Sequence, residues 1–111
     1  MSIFSTLFGG KTISPKEARE RMEKLDKYVL LDVRTKQEYK QIRIKGAKLI
    51  PLDQLQERAA TDLPDKDVPI LIYCQSGARA GSALRVLANM GYTDVVSFGG
   101  IMSWPYETAK G

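Results

Sequence analysis

Residues 69–80 read PILIYCQSGARA: five residues of apolar character from Pro69 to Tyr73, then Cys74, then a polar turn with a glycine, then small residues around Arg79. An unbroken apolar run of this length, bounded by proline on one side and a turn on the other, suits a strand buried on both faces. After Gly77 the spacing predicts a helix to about Met90, with Ala80, Ala83, Leu84, Leu87 and Ala88 on one face and Gly91 just past its end. The stretch is therefore a strand, a tight loop and a helix, with Cys74 at the carboxyl end of the strand.

The same alternation extends in both directions. Upstream, Ser14, Pro15 and Glu17 form a capping-box pattern that opens a helix through about Leu25. Tyr28 to Val33 is a second apolar run, interrupted only by Asp32, and Thr35 with Glu38 repeats the capping pattern for a short helix to about Gln41. Ala47 to Ile50 reads as a short strand and Pro51 to Ala60 as a helix. Downstream, Val95 to Phe98 is a last strand that Gly99 and Gly100 are expected to break, before a helical turn carrying Trp104. Helices between buried strands force crossover connections, so the fold class is α/β, with an open, mostly parallel sheet and helices on both faces. In such sheets ligands bind at the carboxyl ends of the strands, where Cys74 sits.

At 111 residues the chain fits one domain, assigned to residues 11–111, that can bury a core without disulfides or structural metal. Residues 1–10 are read as a flexible or partner-docking tail: Ile3, Phe4, Leu7 and Phe8 lie at helical spacing, but Gly9 and Gly10 follow and no apolar run is long enough to span a membrane. Cys74 is the only cysteine, which excludes an intrachain disulfide and makes a reducing, cytoplasmic setting the default. The chain has no histidine, so Ser-His-Asp and Cys-His catalysis and histidine metal sites are excluded; no metal and no cofactor are expected. The net charge of +4 favours encounter with anions, but the basic residues are spread from Lys11 to Lys110 among acidic ones, so no nucleic-acid partner is expected.

Most lone cysteines are small buried hydrophobes. Cys74 differs because a polar, glycine-containing turn follows it at once, placing the sulfur near the free N–H groups of a loop and a helix start. An ordinary cysteine is only about 3% thiolate at pH 7, so a nucleophilic Cys74 needs such donors. Gly77 permits the backbone to turn its N–H groups inward, and the small Ser76, Ala78 and Ala80 are expected to leave the sulfur approachable. Arg79 adds a positive charge, either for an anionic substrate or as the partner of a carboxylate such as Asp32 or Glu38.

From about Lys11 onward the chain resembles a single-domain rhodanese, a sulfurtransferase. The resemblance rests on Asp32-Val33-Arg34 with Glu38-Tyr39, Gly46-Ala47 with Ile50-Pro51, the loop from Cys74 to Ala80, and Gly99-Gly100 with Trp104, in that order and spacing. It implies a rhodanese-like domain with a five-stranded sheet and a Cys74 that takes up a sulfane sulfur as a persulfide. The backbone of Gln75, Ser76, Gly77, Ala78, Arg79 and Ala80 would cradle that sulfur, and Asp32, Arg34 and Glu38 would support the loop. The chain departs from the family pattern at Ile42-Arg43, where Gly-His is common, and in carrying Gln75, Ala78 and Ala80 where larger or hydroxyl-bearing loop residues are common.

The function expected is transfer of sulfur from a small anionic donor such as thiosulfate to cyanide, a thiol or a protein. A persulfide carrier serving a specific protein is the alternative. A Cys-dependent phosphatase or arsenate reductase is a further one, disfavoured because those loops place arginine six positions after the cysteine, where this chain has Ala80.

Overall fold

The structure is a computed structural model that describes residues 11–111, so the proposed tail at residues 1–10 lies outside it. Along the chain, β1 (Lys11–Thr12), α1 (Pro15–Lys24), β2 (Val29–Asp32), α2 (Lys36–Gln41), β3 (Arg43–Ile44) and β4 (Lys48–Leu49) are followed by α3 (Leu52–Asp62), β5 (Ile70–Cys74), α4 (Ala78–Asn89), β6 (Val95–Gly100), a 3-10 turn (Ile101–Ser103) and β7 (Thr108–Ala109). Five strands form one sheet in the order β1-β6-β5-β2-β4, every neighbouring pair parallel. β3 and β7 make a separate antiparallel pair.

This strand order dictates where the helices lie. Parallel crossovers are right-handed, so connections that step across the sheet in opposite directions put their helices on opposite faces. The steps β4 to β5 and β5 to β6 run one way, and α3 and α4 bury Leu55, Ala59, Ala83 and Leu87 against Leu31, Val33, Ile70 and Ile72. The steps β1 to β2 and β2 to β4 run the other way, and Ala18 of α1 packs on the opposite face with Leu30, Leu71, Tyr73, Val96, Phe98 and Trp104. Side chains alternate along β5: Ile70, Ile72 and Cys74 face α3 and α4, while Leu71 and Tyr73 face the other way. Each fully buried leucine or isoleucine in these layers contributes about 1.5–3 kcal/mol.

Among the described residues, side-chain caps open two of the four α-helices, α1 and α2. Thr35 and Glu38 make the full reciprocal capping box, and Ser14 accepts the N–H of Glu17. The Glu17 carboxylate, however, pairs with Arg21 one turn on, at 2.9 Å, so only half of the expected box forms there. A second correction concerns Gly99 and Gly100. They continue β6, with Cys74 opposite Gly100 after a register shift; Gly100 passes directly beneath the loop, where a side chain has no room, while Gly99 has open space around it and a φ of +93° that suits glycine. The following turn is 3-10 and Trp104 caps it, its ring tilted against that of Phe98 with centroids 5.4 Å apart. Three short strands, β1, β3 and β7, lie outside the sequence expectations. No helix among the described residues is long and apolar enough to cross a membrane.

Candidate active site

The connection after β2 leads to β4 and the connection after β5 leads to β6, in opposite directions across the sheet. Between their carboxyl ends the chain opens the crevice expected at such a switch point. Asp32 ends β2 and Cys74 ends β5. Gln75, Ser76 and Gly77 then turn the chain into α4, with Gly77 at φ +122° as the helix cap, a conformation that suits glycine and few other residues.

That turn brings the N–H of Gly77 to 3.0 Å from the Cys74 sulfur. The first i to i−4 bond of α4 runs from Gly81 N–H to Gly77 carbonyl at 3.0 Å, so the N–H groups of Ala78, Arg79 and Ala80 open the helix with no intrahelical acceptor. A sulfur anion here is faced by one direct donor and by the positive end of a twelve-residue helix. Access is narrower than the sequence suggests. Ser76 and Ala78 are exposed, but Ala80 is fully buried against the core, and Cys74 itself is 1% exposed because it continues the inward row of Ile70 and Ile72. A reactant therefore reaches the sulfur through a slim end.

Beneath the loop lies a buried polar network. Asp32, Arg34 and Tyr73 are each at most 1% exposed. Arg34 donates to both Asp32 oxygens, from Nε at 3.1 Å and from Nη2 at 2.8 Å, and also to the Ile42 carbonyl at 2.6 Å and to Gln75 Oε1 at 3.4 Å. The Tyr73 hydroxyl donates to Asp32 Oδ2 at 2.6 Å and accepts the N–H of Ile44 at 3.0 Å. Burial first, and then the Asp32 carboxylate, push the Tyr73 hydroxyl above its ordinary range, so it stays a neutral donor. Burial works against the Arg34 charge, but the bonds to Asp32 and its negative charge outweigh it and raise the Arg34 pKa. Removing one partner of such a pair would strand a buried charge, which typically costs about 3–5 kcal/mol.

Arg79 takes the carboxylate option left open by the sequence, and its partner is Glu38. Nη1 and Nη2 meet the two Glu38 oxygens at 2.7 and 2.9 Å. Asp32 is committed to Arg34 and Tyr73. The hydrogen bonds from Arg79, aided by the Thr35 N–H, hold the Glu38 carboxyl down to about 2 from its usual 4.5. A carboxylate lowered by folding contributes stability above its unfolded value, and that stability is lost as pH falls towards the folded value. Glu38→Gln is therefore expected to lower stability by about 1 kcal/mol at pH 7, a figure that allows for solvent screening of this half-exposed pair. In urea titrations the gap between the two proteins should shrink from about pH 4.5 downwards and close near pH 2; a gap constant across that range contradicts the assignment.

The loop's floor is the part sequence reasoning missed. A Cβ on Gly100 would stand 2.0 Å from the Gln75 carbonyl oxygen and 2.6 Å from the Ser76 nitrogen, and the Met102 N–H donates to that same carbonyl at 3.3 Å. Gly99-Gly100 was visible as a pair but not its place under the loop. Tyr73 is not among the expected site residues; its signal is that of the one aromatic with a polar tip in an otherwise aliphatic strand, since a buried tyrosine hydroxyl usually finds a partner.

The family model described as Rhodanese-like domain matches residues 14–106. Thiosulfate sulfurtransferase PspE of Escherichia coli K12 is 40% identical over 81 residues, covering 73% of this chain and 78% of that protein. Thiosulfate sulfurtransferase GlpE of Coxiella burnetii is 35% identical over 95 residues, covering 85% and 86% respectively. Among solved structures, a rhodanese with anions from E. coli superposes with a TM-score of 0.71 at 38% identity, covering 76% of this chain and 99% of that one. The Alr3790 protein from Anabaena sp. superposes with a TM-score of 0.81 at 25% identity, covering 88% and 91%.

Proposed function

Because this chain belongs to the rhodanese-like domain family, we propose that it is a sulfurtransferase whose Cys74 carries a sulfane sulfur between an anionic donor such as thiosulfate and a thiophilic acceptor. The observation that carries the reading is the Cys74 sulfur at a strand end, bonded by the Gly77 N–H and faced by the opening turn of α4. The Cys74 thiolate attacks the outer sulfur of thiosulfate; the sulfur–sulfur bond of the donor breaks and sulfite leaves with the electron pair. The new outer sulfur of the Cys74 persulfide is held by the loop's N–H groups, which favour negative charge in a nearly dry site. Since Cys74 is the only cysteine, the sulfur leaves to an external acceptor: cyanide, a small thiol or a protein thiol attacks it and Cys74 departs as thiolate. A lone cysteine doing this chemistry suits a reducing, cytoplasmic setting.

The engagement of Arg79 supports sulfur over phosphate. A phosphate loop needs a guanidinium fork pointed at the phosphate oxygens, and here both Nη atoms of Arg79 are on Glu38. The test is thiocyanate formation from thiosulfate and cyanide, run beside hydrolysis of p-nitrophenyl phosphate. Turnover of the first and none of the second is expected. Phosphate ester hydrolysis without thiocyanate formation overturns the proposal.

A further inference from the structure

A groove starts beside Arg79, the one residue of the loop that lines it, and is not used by the chemistry above. It begins as a cleft of about 330 Å³ with Arg79 on one wall and Val33, Pro51 and Leu52 along its floor. At Pro51 it meets a second cleft of about 530 Å³ bounded by Lys36, Lys40 and Arg58, with Tyr39 and Leu49 between them. The second cleft carries no aspartate or glutamate on its lining. Lys36 and Lys40 have no ion-pair partner among the described residues, and Arg58 is paired with Asp62 at 2.8 Å. Helix α3 starts at the junction, but its Leu52 and Gln54 N–H groups already donate to the Val33 and Pro51 carbonyls at 3.1 and 2.9 Å and Asp53 stands in its first turn, so the positive character of the groove comes from its lysine and arginine side chains. The one carboxylate on the first cleft is Asp53, and the Gly111 carbonyl at the far end of the second is taken by Arg43 at 2.9 Å.

We infer that this groove docks an acidic, extended segment of a protein partner, whose thiol exchanges sulfur with Cys74. The inference rests on the sulfurtransferase reading and adds the partner's chemistry to it. Three observations converge. The cations select negative charge, the apolar floor suits a chain lying along it, and Cys74 at 1% exposure admits only a slim reactive end. In the transfer step the partner's thiolate attacks the outer persulfide sulfur, that sulfur's bond to Cys74 breaks, and Cys74 keeps the electron pair as thiolate. The partner leaves as a persulfide and no external oxidant is needed.

The probe is a dye-labelled peptide of several glutamates followed by Gly-Gly-Ser, compared by fluorescence anisotropy with a twin in which serine replaces each glutamate. Binding of the acidic peptide to the full-length protein is expected to be at least about tenfold tighter than that of its twin at about 50 mM salt, and to weaken at about 300 mM. The double variant Lys36→Glu/Lys40→Glu should lose that preference. Lys16→Glu/Lys24→Glu, with the same charge change on exposed positions of α1, should keep it. With cysteine in place of the terminal serine, the acidic peptide should also strip sulfur from the thiosulfate-loaded protein faster than its twin. Equal binding of the two peptides, or equal losses in the two double variants, overturns the groove assignment. Failure of thiosulfate to load Cys74 in every variant falls instead on the sulfurtransferase reading, and the anisotropy result decides the groove by itself.

Discussion

Replacing Cys74 by serine is expected to lower thiocyanate formation at least about 10³-fold, as loss of a nucleophile does in covalent catalysis, while the protein stays folded. A serine hydroxyl fits the position and can accept the Gly77 N–H that now meets the sulfur at 3.0 Å. It cannot hold a second sulfur atom. Burying a hydroxyl in place of a thiol between Ile72 and α4 should change stability by no more than about 1–2 kcal/mol, because the hydroxyl keeps a partner. Circular dichroism and an unfolding midpoint near that of the wild type establish that the lost turnover is chemical. A variant that keeps a substantial fraction of activity would falsify the role given to Cys74.

The second large effect comes from a residue that touches no reactant. Gly100→Ala should reduce turnover about 10²-fold, in line with the cost of displacing a catalytic group by about 1 Å. The backbone at Gly100 has φ −144°, which any residue adopts, so the requirement is for space alone. The added methyl would stand 2.0 Å from the Gln75 oxygen and 2.3 Å from its carbonyl carbon, both backbone atoms, and the loop must move to admit it. That movement drags the Gly77 N–H off the sulfur and strains the bond from Met102 to Gln75. Overpacking of this kind costs about 1–3 kcal/mol, so the variant should also melt several degrees lower, by about 4–8 °C per kcal/mol in a domain of this size. Turnover at wild-type rates in a folded Gly100→Ala protein would mean that the loop does not rest on β6 as described.

The strand, the loop and the helix around Cys74 are legible in the sequence because each has an unambiguous physical cause. Ile70 to Tyr73 is apolar on both faces, Gly77 allows the reversal, and the apolar stripe from Ala80 to Leu87 needs a face to cover. The Thr35–Glu38 capping box is legible for the same reason, whereas Ser14–Glu17 is only half so, since Arg21 one turn away competes for the carboxylate. β1, β3 and β7 are two residues each and carry no periodicity; they exist because neighbours already in place offer them hydrogen bonds. The partner of Arg79 depends on Asp32 being already held by Arg34 and Tyr73, and that follows from the pairing of β2 with β5. The tight seat of the loop on Gly100 is a contact between residues 25 apart from Gln75, created by the pairing of β5 with β6, and no local pattern encodes it.

The most direct test of the central claim is the intact mass of the protein after incubation with thiosulfate and removal of the donor. The wild type is expected to gain one sulfur atom, to lose it on addition of cyanide or excess dithiothreitol, and to regain it on a second exposure, while Cys74→Ser gains nothing. A wild-type mass unchanged by thiosulfate and by other sulfane donors, or a gain of sulfur that persists in Cys74→Ser, would contradict the assignment of Cys74 as the sulfur-carrying residue.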